Sequence, residues 1–218
     1  MKRNSIIYAD PPWAYNDRRE IRRDGKKAKR GYGSANLYDV MSIDQIAALP
    51  VGDLAADNSA LFMWATWPQL DQQIDVLKSW GFRYVGAGFI WVKRNLNNER
   101  PWFGVGYYTK SNTEPCLLGI RGKMKPVSNS ISEVIVEPEV IIEPHPRGED
   151  GKIIHSRKPA IVRDKIVQFL GDLPRVELFS REIVPGWDVW GNEIESTVQM
   201  PLMLPLDWGG KRRGKEVA

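Results

Sequence analysis

The chain has 218 residues, 42% of them hydrophobic and 27% charged, which suits one domain with a real core and excludes wholesale disorder. Lys and Arg number 31 against 27 Asp and Glu, so the net charge of +4 permits a polyanionic partner without demanding one. One cysteine and two histidines exclude a disulfide framework and a Cys- or His-rich metal site, and no metal is expected. No apolar run approaches the roughly 20 residues of a membrane span, and the first residues do not read as a signal peptide. A cytoplasmic protein is expected.

Ser5 to Ala9 reads as a short buried strand. It runs into Asp10-Pro11-Pro12-Trp13, where two prolines that lack an N–H end any ladder. A basic stretch follows over 17–33, carrying Arg18, Arg19, Arg22, Arg23, Lys26, Lys27, Lys29 and Arg30 and punctuated by glycines. It reads as a mobile loop with phosphate-contacting potential. Ser42-Ile43-Asp44-Gln45 fits a capping box opening a short helix that stops near Pro50. Ser59 to Thr66 is a second apolar strand. Leu70, Ile74 and Leu77 then recur at helical spacing, with Gly81 as the stop.

Phe82 to Lys93 reads as one or two strands, 95–112 as a loop rich in Gly, Asn and aromatics, and Pro115 to Ile120 as another strand. Ser132 to Ile142, broken by Pro138, suits an edge strand pair or a loop-borne hairpin. A helix from about Pro159 to Leu170 should bury Val162, Ile166, Phe169 and Leu170, and Arg175 to Ser180 closes as the last strand. The expected organisation is a single domain over 1–198, with 122–156 as a possible target-recognition insertion and 199–218 as a basic tail. Strands alternating with helices favour an open, mostly parallel α/β sheet, whose ligands bind beyond the strands' carboxyl ends.

Asp10 stands at such an end. Proline after it holds its backbone extended, and the two rings preset their carbonyls. A carboxylate and a rigid carbonyl converging on one point suit a group with two N–H donors, such as the exocyclic amine of a base. Trp13 offers a flat face, and base stacking on such a ring contributes about 1–3 kcal/mol. Hydrogen bonds to both N–H groups would raise electron density on an otherwise poor amine nucleophile. Tyr15, Tyr32 and Tyr38 lie beside or just beyond the basic stretch, and Tyr32 and Tyr38 could flank an extruded base or serve structure alone. For Trp102, Tyr107 and Tyr108 a stacking wall and ordinary packing stand equal. Cys116 reads as a buried apolar residue and His145 and His155 as surface polar groups.

With these residues in view, the chain resembles the adenine-N6 methyltransferase family that includes the catalytic subunit of the messenger-RNA N6-adenosine methyltransferase and phage and bacterial DNA adenine methylases. Asp10-Pro11-Pro12-Trp13 is the most specific part. Glu114-Pro115-Cys116-Leu117-Leu118-Gly119, His155-Ser156-Arg157-Lys158-Pro159 and Glu177-Leu178-Phe179-Ser180-Arg181 with Trp190-Gly191-Asn192-Glu193 follow in the family's order. The resemblance implies S-adenosylmethionine as methyl donor and a Rossmann-like fold of permuted, beta-class-like motif order. It implies Asp10 through Trp13 as the catalytic turn. Asp10, Lys158, Phe179, Arg181, Asn192 and Glu193 would contact the cofactor. Trp13, Tyr15, Glu114, Lys158, Arg22, Arg23, Lys26 and Lys27 would contact nucleic acid, with DNA favoured. RNA adenosine methylation and a non-catalytic nucleic-acid-binding subunit of the same fold are the alternatives.

Overall fold

A computed structural model describes residues 3–14, 40–95, 100–101, 108–138 and 157–200. Seven strands form one sheet: β1 (Asn4–Ala9), β2 (Ala55–Trp64), β3 (Arg83–Arg94), β4 (Thr113–Arg121), β5 (Val134–Pro138), β6 (Arg175–Leu178) and β7 (Asp188–Trp190). Their order is β5-β3-β4-β2-β1-β6-β7. β1 pairs in parallel with β2 and β6, and β6 with β7. β4 runs antiparallel to both neighbours, β2 and β3, while β5 is parallel to β3. Six strands therefore share one direction, and the expected mostly parallel sheet holds, with one reversed strand.

Among the described residues four α-helices cover the sheet: α1 (Ile43–Ala47), α2 (Val51–Leu54), α3 (Leu70–Ser79) and α4 (Ile161–Leu170). The capping box is present: the Gln45 N–H donates to the Ser42 hydroxyl at 3.2 Å, and the Ser42 N–H donates to the Gln45 side chain at 2.8 Å. Gly81 and Gly171 take φ of 86° and 88° after α3 and α4, where a side chain would be strained.

β1 has no polar face because both of its sides are covered. Ile7 and Ala9 join Leu61, Met63, Val176 and Leu178 under α1, α2 and α3, which contribute Ile46, Leu54, Val76 and Leu77, with Trp80 just after α3. Ile6 and Tyr8 point the other way, into a cluster with Phe62, Trp64, Phe89, Trp91 and Cys116 under Val162, Ile166 and Leu170 of α4. Cys116 is fully buried, as expected of a small apolar residue.

Three local expectations are left open or need correction. Of the two readings for Phe82 to Lys93 the single strand holds, as β3, bent by irregularities around Gly86 and between Ala87 and Phe89. β5 lies at the edge of the sheet, as expected, and pairs in parallel with β3; residues 139–142, where a hairpin partner would fall, lie outside the described residues. Arg175 to Ser180 is not the last strand: β7 follows it, too short at three residues to show a hydrophobic period.

The topology places the site. From β1 the chain proceeds to β2 on one side, whereas from β6 it proceeds to β7 on the other. The strand order thus reverses between β1 and β6, the switch point beyond whose carboxyl ends ligands of such sheets bind. Asp10 and Phe179 are the first residues beyond those two ends. β4, running backwards, brings its starting residues Thr113 and Glu114 to the same edge.

Candidate active site

The Asp10-Pro11-Pro12-Trp13 turn is pinned at every step. The Asp10 N–H donates to the Leu178 carbonyl at 3.4 Å, continuing the β1–β6 ladder by one bond. The Trp13 N–H donates to the Pro11 carbonyl at 2.9 Å, and the Met41 N–H donates to the Pro12 carbonyl at 2.9 Å. The Pro11 carbonyl therefore has one lone pair engaged within the turn. Trp13 departs from expectation. It is only 4% exposed, packs in the α1–α3 core and donates its indole N–H to the Trp64 carbonyl at 3.0 Å. It anchors the turn and offers no open stacking face.

Asp10 keeps about a third of its side chain open, at 34%. Lys158, just ahead of α4, joins it to Glu114: Nζ lies 3.1 Å from Asp10 Oδ1 and 3.2 Å from Glu114 Oε2. The lysine also sits 5.6 Å from the centre of the Trp64 ring. Sequence reasoning missed Lys93, whose Nζ lies 2.6 Å from Glu114 Oε1 and 4.9 Å from the Trp91 ring centre. A lysine on a strand of alternating apolar residues was the available signal. Asp10, Lys158, Glu114 and Lys93 form an alternating chain of charges along the edge, drawn from four separated segments.

The two carboxyls differ electrostatically. Burial pushes Asp10 above its ordinary carboxylate value; Lys158 pulls it down, the like charge of Glu114 pushes it up again, and Arg181 pulls weakly. Burial also opposes ionisation of Glu114, but Lys158 and Lys93 together overcome it and hold its carboxyl below the ordinary value. Nearby Cys116 and Tyr8 are both pushed well up by burial, so neither serves as an anionic nucleophile near neutral pH.

Across the switch point, Phe179 takes φ of 62°, left-handed backbone that a bulky residue adopts only under strong constraint. The constraint is visible. The Ser180 N–H donates to the Trp190 carbonyl at 2.9 Å, and the Phe179 ring packs edge-on to Trp190 at 5.3 Å between centroids. A Cβ on Gly191 would fall 2.0 Å from the Ser180 carbonyl oxygen, so only glycine fits there. Arg181 Nε meets Glu193 Oε1 at 3.1 Å, and Asn192 and Glu193 are exposed beside it. Behind, Arg163 of α4 donates twice to Glu177, at 2.7 and 2.8 Å, and once to Glu182 at 2.9 Å, and Arg157 also pairs with Glu182. The structure thus gathers Asp10, Glu114 and Lys158 on one flank and Phe179, Arg181, Asn192 and Glu193 on the other.

Tyr15, Arg22, Arg23, Lys26 and Lys27 lie outside the described residues, as do Tyr32, Tyr38, Trp102, Tyr107, His145, His155 and the tail over 201–218. Tyr108 is 93% exposed. Among the described residues no helix is long and apolar enough to cross a membrane, and no group of three or more His, Cys, Asp or Glu could hold a metal ion. A shallow recess lined by Asp172, Arg175, Gly186 and Trp187 lies at the opposite, amino end of β6, away from these groups.

A single mixed α/β sheet with this strand-end cluster defines a Rossmann-like methyltransferase. Residues 4–193 match the MT-A70 family model, and the chain belongs to that family, whose methyltransferases use S-adenosylmethionine as donor. The chain is 34% identical over 215 residues to the Type II methyltransferase M.MunI of Mycoplasma sp, covering 94% of this chain and 84% of that one. It is 30% identical over 216 residues to the N(6)-adenine-specific methyltransferase METTL4 of Mus musculus, 93% of this chain and 40% of that one. It is 27% identical over 194 residues to the N(6)-adenosine-methyltransferase MT-A70-like protein of Drosophila melanogaster, 88% of this chain and 27% of that one. The chain therefore spans less than half the length of the latter two.

Proposed function

We propose that this protein transfers a methyl group from S-adenosylmethionine to the N6 amine of adenine in DNA. The observation that carries this reading is the pinned turn that sets a part-open Asp10 carboxylate, next to the Pro11 carbonyl in sequence, at the carboxyl end of β1. The likeness to M.MunI across most of both chains supports it, as does the Rossmann-like sheet in which the Asp10 strand precedes β6, the order of a permuted methyltransferase.

The residues present fit the cofactor. Glu193 and Asn192 offer exposed acceptors for ribose hydroxyls, the constrained Phe179 ring offers an apolar surface for an adenine, and Arg181 and Lys158 supply positive charge for a carboxylate. When bound, S-adenosylmethionine supplies an electrophilic methyl on a positively charged sulfur.

The chain's own groups do the rest. Asp10 and the Pro11 carbonyl accept the two N–H groups of the target amine and aim its nitrogen lone pair at the methyl. Lys158 holds Asp10 in place and competes with the amine for Oδ1. Glu114, kept ionised by two lysines, holds Lys158 from the far side, so that lysine need not leave when the amine arrives. The proton released after transfer passes to Asp10, whose raised affinity for protons suits it to receive one. The basic stretch over 17–33 contributes phosphate contacts, fixing affinity rather than sequence choice.

The test is incubation with labelled S-adenosylmethionine and separate DNA and RNA oligonucleotides, followed by mass spectrometry of the nucleosides. N6-methyldeoxyadenosine in DNA is expected. Label in RNA alone would move the assignment to RNA adenosine, the second reading, which the likeness to the Drosophila protein favours. Label in neither, with cofactor binding absent by calorimetry, would make the chain a non-catalytic member of the fold.

A further inference from the structure

The stacking role that Trp13 cannot fill falls to another tryptophan. Trp67 follows β2 in a single 3-10 turn, Trp67–Gln69, at the carboxyl edge of the sheet. Its side chain is large and apolar yet 46% exposed. It is nevertheless held: the indole N–H donates to the Thr113 hydroxyl at 2.9 Å. Thr113 immediately precedes Glu114, whose carboxylate shares Lys158 with Asp10. From the same turn, the Gln69 carboxamide donates to the Ala14 carbonyl at 3.1 Å, the residue just after the catalytic tetrapeptide. The turn that carries Trp67 is thus tied through Trp67 to the Glu114 segment and through Gln69 to the Asp10 segment.

A ring in this state is unusual for a surface residue. Buried indoles of this protein, such as Trp13, Trp64 and Trp80, use their N–H inside the core. Trp67 has its polar edge fixed toward the site while much of its apolar surface stays in water. Covering that surface with a flat apolar ligand gains area burial and stacking, and the fixed orientation means little rotamer freedom is lost on binding.

Resting on the function proposed above, we propose that Trp67 is the aromatic face on which the ring of the target adenine lies while Asp10 holds its amine. Stacking is indifferent to base identity, so Trp67 supplies affinity for an extruded base and the Asp10–Pro11 acceptors supply the choice of an amine.

The test takes a DNA or RNA oligonucleotide that the wild-type protein methylates, and the same oligonucleotide with an abasic site in place of the target. Binding of both is measured for wild type, Trp67→Ala and Trp67→Phe. For the intact oligonucleotide, Trp67→Ala weakens binding about tenfold or more, whereas Trp67→Phe, which keeps a ring, loses far less. For the abasic oligonucleotide the three proteins bind alike, and affinity for S-adenosylmethionine is the same in all. No loss in Trp67→Ala, an equal loss on both oligonucleotides, or a loss of cofactor affinity overturns the assignment. Failure of the wild-type protein to methylate any oligonucleotide overturns the underlying function instead, so the two failures are told apart.

Discussion

Asp10 carries opposing demands. In the proposed reaction its carboxylate must be ionised to accept an amine, yet burial and the charge of Glu114 both favour the protonated form. A carboxyl whose folded value is raised binds its proton more tightly in the folded than in the unfolded protein. Its ionisation therefore costs stability once pH exceeds the unfolded value of about 3.9, and the cost is complete above the folded value. Asp10→Asn should accordingly abolish methylation while leaving the melting temperature no lower than wild type, with Lys158 still held by Glu114. A fall of several degrees in thermal unfolding would instead mark Asp10 as a structural ion-pair member. The same shift places the acid limb of activity above the ordinary carboxylate range, because the working ionised form is lost as pH drops through the raised value. Glu114→Gln removes the like charge, so the limb of its residual activity should move to lower pH. A pH–rate profile with an unmoved limb would remove Glu114 as an influence on Asp10. Glu114 itself has the opposite linkage: its lowered value contributes stability above the unfolded value that is lost as pH falls through the folded one.

At the scale of elements, the sheet edge is built by short crossings with little tolerance. β6 and β7 hold only four and three residues, and the turn after each touches the other where Ser180 meets Trp190 and Gly191. Gly191→Ala would drive a methyl into the Ser180 carbonyl and force the two turns apart. We expect a loss of about 2 kcal/mol or more in urea unfolding, together with weaker binding of S-adenosylmethionine. Unchanged cofactor affinity in a destabilised Gly191→Ala protein would separate this crossing from the cofactor site. The strongly patterned elements were legible from the chain: the Ser42–Gln45 capping box, the glycine stops at Gly81 and Gly171, and the buried β1 with its Ile6-Ile7-Tyr8-Ala9 run. β7 was not, because a three-residue strand shows no period. The parallel pairing of β5 was equally hidden, since pairing direction is set by the partner strand and leaves no mark on Val134 to Val136 themselves.

For the whole molecule, the basic stretch that follows the Asp10 turn gives the proposed function its electrostatic test. Charge reversal across Arg18 to Arg30 should weaken binding to DNA and flatten the dependence of log affinity on log salt, because fewer counterions are released. A salt slope equal to that of wild type would mean that phosphate contacts come from elsewhere on the surface.

What the sequence by itself determined is chemistry carried by contiguous residues. A carboxylate followed by two prolines at a strand end declares a rigid acceptor pair, and the blocks at 114–119, 155–159 and 177–193 name the other groups. Tertiary structure alone decided how these groups act on one another. Only the reversed β4 and the approach to α4 bring Glu114 and Lys158 to Asp10, and only the neighbouring β3 adds Lys93. Only packing decided that Trp13 turns into the core while Trp67 faces water, since an indole reads the same in a sequence whichever way its backbone turns it. The reason is general: residue type fixes what a group can do, whereas burial and the distance to charges from remote segments fix whether it does so.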